Sequence, residues 1–356
     1  MSKVVFKKLN NYQIPALLKT IKIIKNETRT HDQNIYKIKY WNWKYKQLPT
    51  KNSLVYIALI KKKIIGYYHI PIYDFFIKKK KYKIGSIQSV AVTKVFRKKN
   101  IFKKLLNFAN IDAINHLDLF YTFPNNKSIH TFLKYGNFNY LAKLPFYIYP
   151  IKTANIIKSK IKFYGLNLIG NFFDFIFKYS LKKLNPKEKI IIYNNFDNKI
   201  IAMFSEFNKR YDAHIQRSPS YLDWRYNKFL KSKYKIIGLE NDRKLEAIAV
   251  IKIEKIFKCK GILVMDFAYK EPKYLNRLLT NIGNLKFSKS KNISFILLTG
   301  IAHNLDQILK SGFFKIPNNL VPRNLNLLFK AKKKSLNNIL RKKKSWLITF
   351  SDWDVF

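Results

Sequence analysis

A single cysteine, Cys259, leaves no partner for an intrachain disulfide, and the opening MSKVVFKKLNNYQ has no long apolar core of the kind a secretory signal needs. A disulfide-stapled secreted scaffold is therefore excluded, and a cytoplasmic protein is expected. Long hydrophobic runs are also lacking. The most apolar stretch, 161–177 (IKFYGLNLIGNFFDFIF), contains Lys162 and Asp174 and is shorter than the ~20 residues of a spanning helix. Negative charge is scarce as well. Twenty Asp and Glu stand against 70 Lys and Arg, a formal charge of +50. Such a charge suits a polyanionic partner, but only nine of the 70 are Arg. Arginine is the residue that reads phosphate and guanine with two parallel hydrogen bonds. The favoured residues are Lys, Ile, Asn, Phe, Tyr and Leu, whose codons are rich in A and T. A bias in base composition could produce much of this charge without selection for a polyanion, and nucleic acid is not the expected partner.

What is abundant is core material. Hydrophobic residues make up 47% of the 356, and aromatics 16%, enough to bury a core in each of two domains of ordinary size.

The chain also repeats itself. WNWKY at 41–45 is echoed by LDWRY at 222–226, an offset of 224 − 43 = 181, and the same offset lays KKKIIGYYHI (61–70) over DRKLEAIAVI (242–251). Further on, LKYGNF (133–138) falls on LKSGFF (309–314), an offset of 309 − 133 = 176. Three landmarks in one order imply two copies of one fold. The expected division is a first domain over 1–150, a basic helical connector over 151–194 and a second domain over 195–356.

Hydrophobic spacing in the first copy predicts a helix over 11–25, an irregular stretch carrying WNWKY, and strands at 54–60, 64–73 and 84–93. A helix over 100–116, a strand at 117–123, a helix over 126–135 and a strand at 138–149 follow. The second copy reads as a helix over 198–210, strands at 234–239, 245–256 and 261–269, and a helix over 272–287. It continues with a strand at 293–299, a helix over 302–311 and strands at 325–330 and 345–350. Strands first, then alternation, imply an α/β (α+β) fold: in each copy a mixed, mostly antiparallel sheet flanked by helices.

One segment carries chemistry. In SVAVTKVFRKKNIFKKLL (89–106) a strand passes through a turn crowded with Arg97, Lys98, Lys99 and Asn100 into a helix start. Unpaired amides and the positive end of the helix dipole then converge on one spot, which favours a phosphate or pyrophosphate. The reading that competes is a solvated basic helix start.

Residues 97–102 resemble the acyl-CoA signature of the GNAT acetyltransferase superfamily: Arg or Gln, two variable residues, Gly, one variable residue, then Gly or Ala. Asn100 stands where the family has its first Gly and tolerates the left-handed conformation; Phe102 replaces the second small residue. Downstream, LDLFYTFPN ending at Asn125 and SIHTFLKYGNF closed by Gly136 resemble the family's next block. The resemblance covers about 1–150 with its motif and about 195–356 in pattern only.

It implies that acetyl-CoA, the acyl donor, is held by Val90, Ala91 and Val92 along its pantetheine arm. Arg97, Lys98, Lys99, Asn100, Ile101, Phe102 and Lys103 would surround its pyrophosphate, with Asn125 at the end of the fifth strand. The second copy is three residues shorter between its matched strand and helix, and carries Glu271 and Pro272 there, so only the first copy is expected to bind CoA.

The implied activity is N-acyl transfer to a small amine or amino sugar. Freeing a neutral amine at pH 7 costs about 4 to 5 kcal/mol, so a base is sought. The first 150 residues hold only Glu27, Asp32, Asp74, Asp112 and Asp118 as carboxylates. His69 and Asp74, on or just beyond the third strand, are the candidates for catalysis, with a core histidine as the other reading of His69. The family's usual acid, a tyrosine, corresponds to Phe132 here. Paired aromatics such as WNWKY are either core or a substrate shelf. The six histidines show no ligand spacing, so no metal is expected. Two other readings stand: a Fem-like transferase using aminoacyl-tRNA, and a non-catalytic basic module gripping nucleic acid or an anionic membrane through 152–184.

Overall fold

The computed structural model describes residues 3–28, 36–97, 99–153, 155, 184–228, 233–256, 258–309 and 312–353. In the first half, β1 (Val4–Lys8) leads to α1 (Ile14–Thr28) and α2 (Ile38–Tyr45). A meander follows: β2 (Ser53–Ile60), β3 (Lys63–Ile77) and β4 (Lys80–Val92). Next come α3 (Ile101–Ala113), β5 (Leu119–Thr122), α4 (Ile129–Gly136), β6 (Asn139–Lys143) and β7 (Phe146–Pro150).

The second half runs β8 (Glu188–Tyr193), α5 (Asn198–Asn208), β9 (Ala213–Ile215) and α6 (Pro219–Leu222). Its meander is β10 (Tyr234–Asn241), β11 (Lys244–Ile256) and β12 (Cys259–Tyr269). Then α7 (Pro272–Ile282), α8 (Lys286–Ser290), β13 (Phe295–Thr299) and α9 (Leu305–Leu309) follow. The chain ends with β14 (Phe314–Lys315), β15 (Asn326–Ala331) and α10 (Lys334–Leu340). Tight turns build the hairpins. Asp242 and Arg243, with φ of 48° and 63°, give the β10–β11 turn the doubly positive backbone that matches strand twist.

Two compact units result, and their limits depart from a cut at 150. The first comprises 1–143 and 325–343; the second comprises 144–324 and 344–356. The first unit's sheet has the order β1-β2-β3-β4-β5-β15-β6, and the second unit's has β8-β10-β11-β12-β13-β7-β14. The orders are the same, position for position. In each, the sixth place is taken by a strand from the other half of the chain: β15 pairs antiparallel with β5 and β6, and β7 with β13 and β14. The single strand expected at 138–149 is thus two strands in two sheets. Within these two strand orders pairing is antiparallel except β4 with β5 and β12 with β13, so the mixed, mostly antiparallel sheet flanked by helices is observed in both units.

Other expectations are revised. WNWKY is helical, in α2, and LDWRY runs through the end of α6 into a π-helical turn over Asp223–Lys228. The helix expected over 272–287 is two, and 345–350 forms isolated bridges instead of a strand. Most of the expected connector lies outside the described residues, and its final part is strand β8.

Within the first unit the sheet is covered on both faces. Leu105, Leu106 and Ala109 of α3 pack on Tyr56, Tyr68 and Phe120, with Leu328 of β15 in the same cluster. On the opposite face Leu17, Ile21 and Ile24 of α1, spaced one helical turn apart, join Trp41 and Tyr45 of α2 over Val55, Ile57 and Tyr67. The sheet is therefore a rigid platform on which the ends of β4 and β5 are fixed. Among the described residues no helix is long and apolar enough to cross a membrane.

Candidate active site

Strands β4 and β5 pair only from Ile84–Leu119 to Ile87–Thr122. Beyond that β4 continues to Val92, while β5 stops and the chain turns through Phe123 and Pro124 towards α4. A wedge opens between them. Thr93 N–H donates to the Ile65 carbonyl at 2.9 Å, so that amide faces β3. By the alternation of strand amides Ala91 also faces β3, and the amides of Val92 and Val90 face the wedge.

At the wide end of the wedge lies the loop 93–100. Its order comes from Glu27, in the last turn of α1. The Glu27 carboxylate accepts from Lys94 N–H at 2.9 Å and from the Arg97 guanidinium at 3.1 Å. Arg97 Nε–H also donates to the Val92 carbonyl at 3.0 Å. Its side chain therefore ties the loop together, where the sequence suggested a charge directed at phosphate. Lys99 and Lys103 lie over the rings of Phe96 and Tyr135, at 5.4 and 3.8 Å from the centroids. Lys98 lies outside the described residues.

Asn100 adopts the left-handed conformation, φ 56° and ψ 12°, as N-cap of α3. The helix's first backbone bond runs from Lys104 N–H to the Asn100 carbonyl at 3.0 Å. The amides of Ile101, Phe102 and Lys103 therefore precede the helical ladder and point out of the helix end. The Phe102 ring does not cross this opening. It turns inward against Phe132, edge to face at 5.9 Å, and joins the core cluster. Together the wedge and the helix end present backbone amides outside any strand or helix ladder, an arrangement that favours an anion at the helix end.

The other expected residues are placed elsewhere. Asn125 is exposed and its side-chain oxygen accepts from the amides of Lys127 and Ser128, both at 3.0 Å, which starts α4. Phe132 is buried between Phe102 and Phe138, so no hydroxyl stands at that position. His69 and Asp74 are not brought together: five positions along β3 separate them, about 17 Å of extended chain. Asp74 pairs with Lys81 at 2.9 Å and Lys83 at 2.5 Å. Partial burial pushes its carboxyl up, but the two lysines outweigh this and hold it below the ordinary range, so it is a paired anion.

His69 is fully buried. Its Nε2 accepts from Trp41 Nε1–H at 3.1 Å, its Nδ1 lies 3.2 Å from the Ser89 carbonyl, and Tyr45 stacks on the ring at 4.4 Å. Burial drives its pKa down to about 3, against the Ser89 hydrogen bond, with the Lys44 charge adding to the fall. An imidazole so enclosed has no lone pair left for an incoming amine, which corrects the expectation of a base. Trp41 and Tyr45 make WNWKY core. Glu27, Trp41 and Ser89 are the residues that sequence reasoning left without a role. Only the rarity of carboxylates near the start of the chain gave a signal, for Glu27.

The second unit has the same wedge, but it is filled. β12 and β13 pair over Gly261–Leu263 and Phe295–Leu297, and β12 runs on to Tyr269. Ile348 exchanges backbone hydrogen bonds with Ile301 at 2.8 and 2.9 Å. Beside it, Arg217 donates to Asp266 at 3.1 Å and to Asp352 at 2.8 Å, and also to Thr349 and Ser351, all buried. Burial raises the Asp352 carboxyl although Arg217 pulls it down. Only residues 270–271 separate β12 from α7, and Pro272 opens that helix. No amide-lined loop is present there. Among the described residues no His, Cys, Asp and Glu cluster is suited to a metal.

Residues 18–136 match the model of a family described as Acetyltransferase (GNAT) family. No curated protein matches the chain. Among solved structures, a protein of unknown function from Enterococcus faecalis, described as a probable N-acyltransferase, aligns with TM-score 0.65 at 11% identity, over 93% of this chain and 73% of that one. A GCN5-related N-acetyltransferase from Anabaena variabilis aligns with TM-score 0.61 at 7% identity, over 92% and 73%. Saccharomyces cerevisiae N-myristoyltransferase with bound myristoyl-CoA aligns with TM-score 0.59 at 13% identity, over 93% and 79%. At these identities the likeness is one of fold, and it extends over both units.

Proposed function

We propose, from the match of residues 18–136 to the model of the acetyltransferase (GNAT) family, that the protein moves an acyl group from acyl-CoA to an amine, using the first unit alone. The observation that carries the reading is the open wedge between β4 and β5, leading to a helix start whose bend Asn100 accommodates and Phe102 leaves clear. Ile101, Phe102 and Lys103 would hold the diphosphate through their amides. Val90 and Val92 would hold the pantetheine arm and the acyl carbonyl. Acyl-CoA supplies the activated thioester: the amine's lone pair forms the C–N bond, the C–S bond breaks, and thiolate leaves.

This chain contributes mainly placement. Phe132 lies in the core and Asp74 is paired, so neither donates a proton to the thiolate, and a thiolate is a leaving group that does not require one. Holding two reactants in register is worth up to about 7 to 11 kcal/mol. The proton of the ammonium passes to water. Acetyl-CoA is the proposed donor and a small amine or amino sugar the proposed acceptor. Because a fold relative carries myristoyl-CoA, acyl length is the first variable to test.

Thermal unfolding with CoA, acetyl-CoA and myristoyl-CoA tests the reading. A ligand at 100 times its Kd stabilises the fold by about 2.7 kcal/mol, and thiol release with a panel of amines then identifies the acceptor. Absence of any shift at millimolar concentrations, with steeply salt-dependent RNA binding instead, would refute it.

A further inference from the structure

β4 carries one residue more than the strand it pairs with. Tyr67 faces Ala91 and His69 faces Gln88, so two steps on β3 oppose three on β4. The surplus is absorbed at Ser89, whose φ is +46°. A residue with a side chain holds that conformation only where its surroundings impose it. Here the imposing group is visible. The Trp41 indole N–H can only donate, so His69 Nε2 must be the accepting nitrogen and Nδ1 carries the proton. That proton is donated to the Ser89 carbonyl at 3.2 Å. Tyr45 stacked on one face and Tyr67 at the edge, 5.4 Å away, leave the ring no freedom to turn.

We propose that His69 is a positioning residue for acyl transfer: by holding the Ser89 carbonyl it fixes the bulge of β4, and the bulge aims the neighbouring Val90 amide at the thioester carbonyl. The inference rests on reading the β4–β5 wedge as the acyl site. The second copy supplies an internal contrast. At the offset of 181, His69 corresponds to Val250 and Trp41 to Leu222. Its own bulge falls on β12 between Val264 and Asp266, where Arg217 binds Asp266 and the C-terminal segment occupies the wedge. The indole–imidazole pair thus occurs in the copy whose wedge is open and is missing from the copy whose wedge is closed.

The test uses the full chain, acetyl-CoA, and hydroxylamine as a small acceptor that is uncharged at pH 7. Calorimetry measures acetyl-CoA binding, and thiol release gives kcat and KM. In His69→Phe and Trp41→Phe, kcat should fall about 30- to 100-fold while KM for acetyl-CoA stays within about threefold. His69→Asn, whose amide can still donate to Ser89, should recover kcat to within about fivefold of wild type. Amide hydrogen exchange at Ala91, which faces β3 opposite Tyr67 beside the bulge, gives a readout that needs no turnover: fast in His69→Phe, protected in wild type and His69→Asn. Normal kcat in His69→Phe with binding intact, or equal losses in His69→Asn and His69→Phe, would overturn the inference alone. A wild-type protein that binds no acetyl-CoA would overturn the site reading and the inference together.

Discussion

Lowering the pH from 7 to 5 should cost the first unit about 2 kcal/mol through a single imidazole. His69 is buried with both nitrogens engaged, and its pKa falls to about 3 from an ordinary 6.5. The unfolded chain therefore takes up the proton first. The folded pKa is the depressed one, so the stability His69 contributes is complete above about pH 6.5 and drains away as the pH falls towards 3. At pH 5 the unfolded imidazole lies about 1.5 units below its pKa and the folded one is still neutral, which gives about 1.5 × 1.36, or about 2 kcal/mol. By pH 3, where the folded imidazole is itself half protonated, the loss reaches about 4 kcal/mol. The groups facing the ring, Trp41, Tyr45, Tyr67 and the Lys44 ammonium, offer no anion to offset it. Urea unfolding followed by tryptophan fluorescence at pH 7, 6 and 5 measures this directly, with His69→Asn as the non-titrating reference. The wild type should lose about 2 kcal/mol more than His69→Asn between pH 7 and 5. Parallel losses in the two proteins, or an imidazole at residue 69 that titrates near 6.5 by NMR, would refute the reasoning.

Two further outcomes follow from the geometry. Asn100→Val places a β-branched residue at φ 56°, at a cost of about 1 to 2 kcal/mol, and calorimetry should show CoA affinity reduced by about 5- to 30-fold, whereas Asn100→Gly should stay within about twofold. Arg217→Met leaves Asp266 and Asp352 in the core without their shared guanidinium, and urea unfolding at pH 7 should report a loss of about 3 to 5 kcal/mol; a change below about 1 kcal/mol would mean that the cluster is not what holds the C-terminal segment.

Much of the frame was legible in the sequence because periodicity and turn chemistry are local. The meanders β2–β4 and β10–β12, the helix after residue 100 and the left-handed Asn100 all follow from a few neighbouring residues. The second copy's missing loop was legible for the same reason, since Pro272 cannot supply an amide. Long-range partners were not legible. Nothing near residue 326 says that β15 inserts beside β5, because consecutive strands usually pair and the spacing of apolar residues is the same for either sheet. His69 looked like a base because a histidine on a strand near a cofactor loop has that chemistry. Its actual work depends on an indole 28 residues earlier and a carbonyl 20 residues later. Arg97 misled in the same way: its charge suggested phosphate, whereas Glu27, from the far end of α1, claims it.

The strand exchange bears on how the protein is made. When residue 143 has left the ribosome, β5 and β6 are present but the place between them is empty, and it is filled only when β15 (Asn326–Ala331) emerges. β5 is one wall of the proposed acyl wedge, so that wall lacks its lateral support until β15 has been made. The cleft proposed for acyl-CoA is therefore competent only once residues 326–331 have been made, and until then the nascent chain carries an open strand edge.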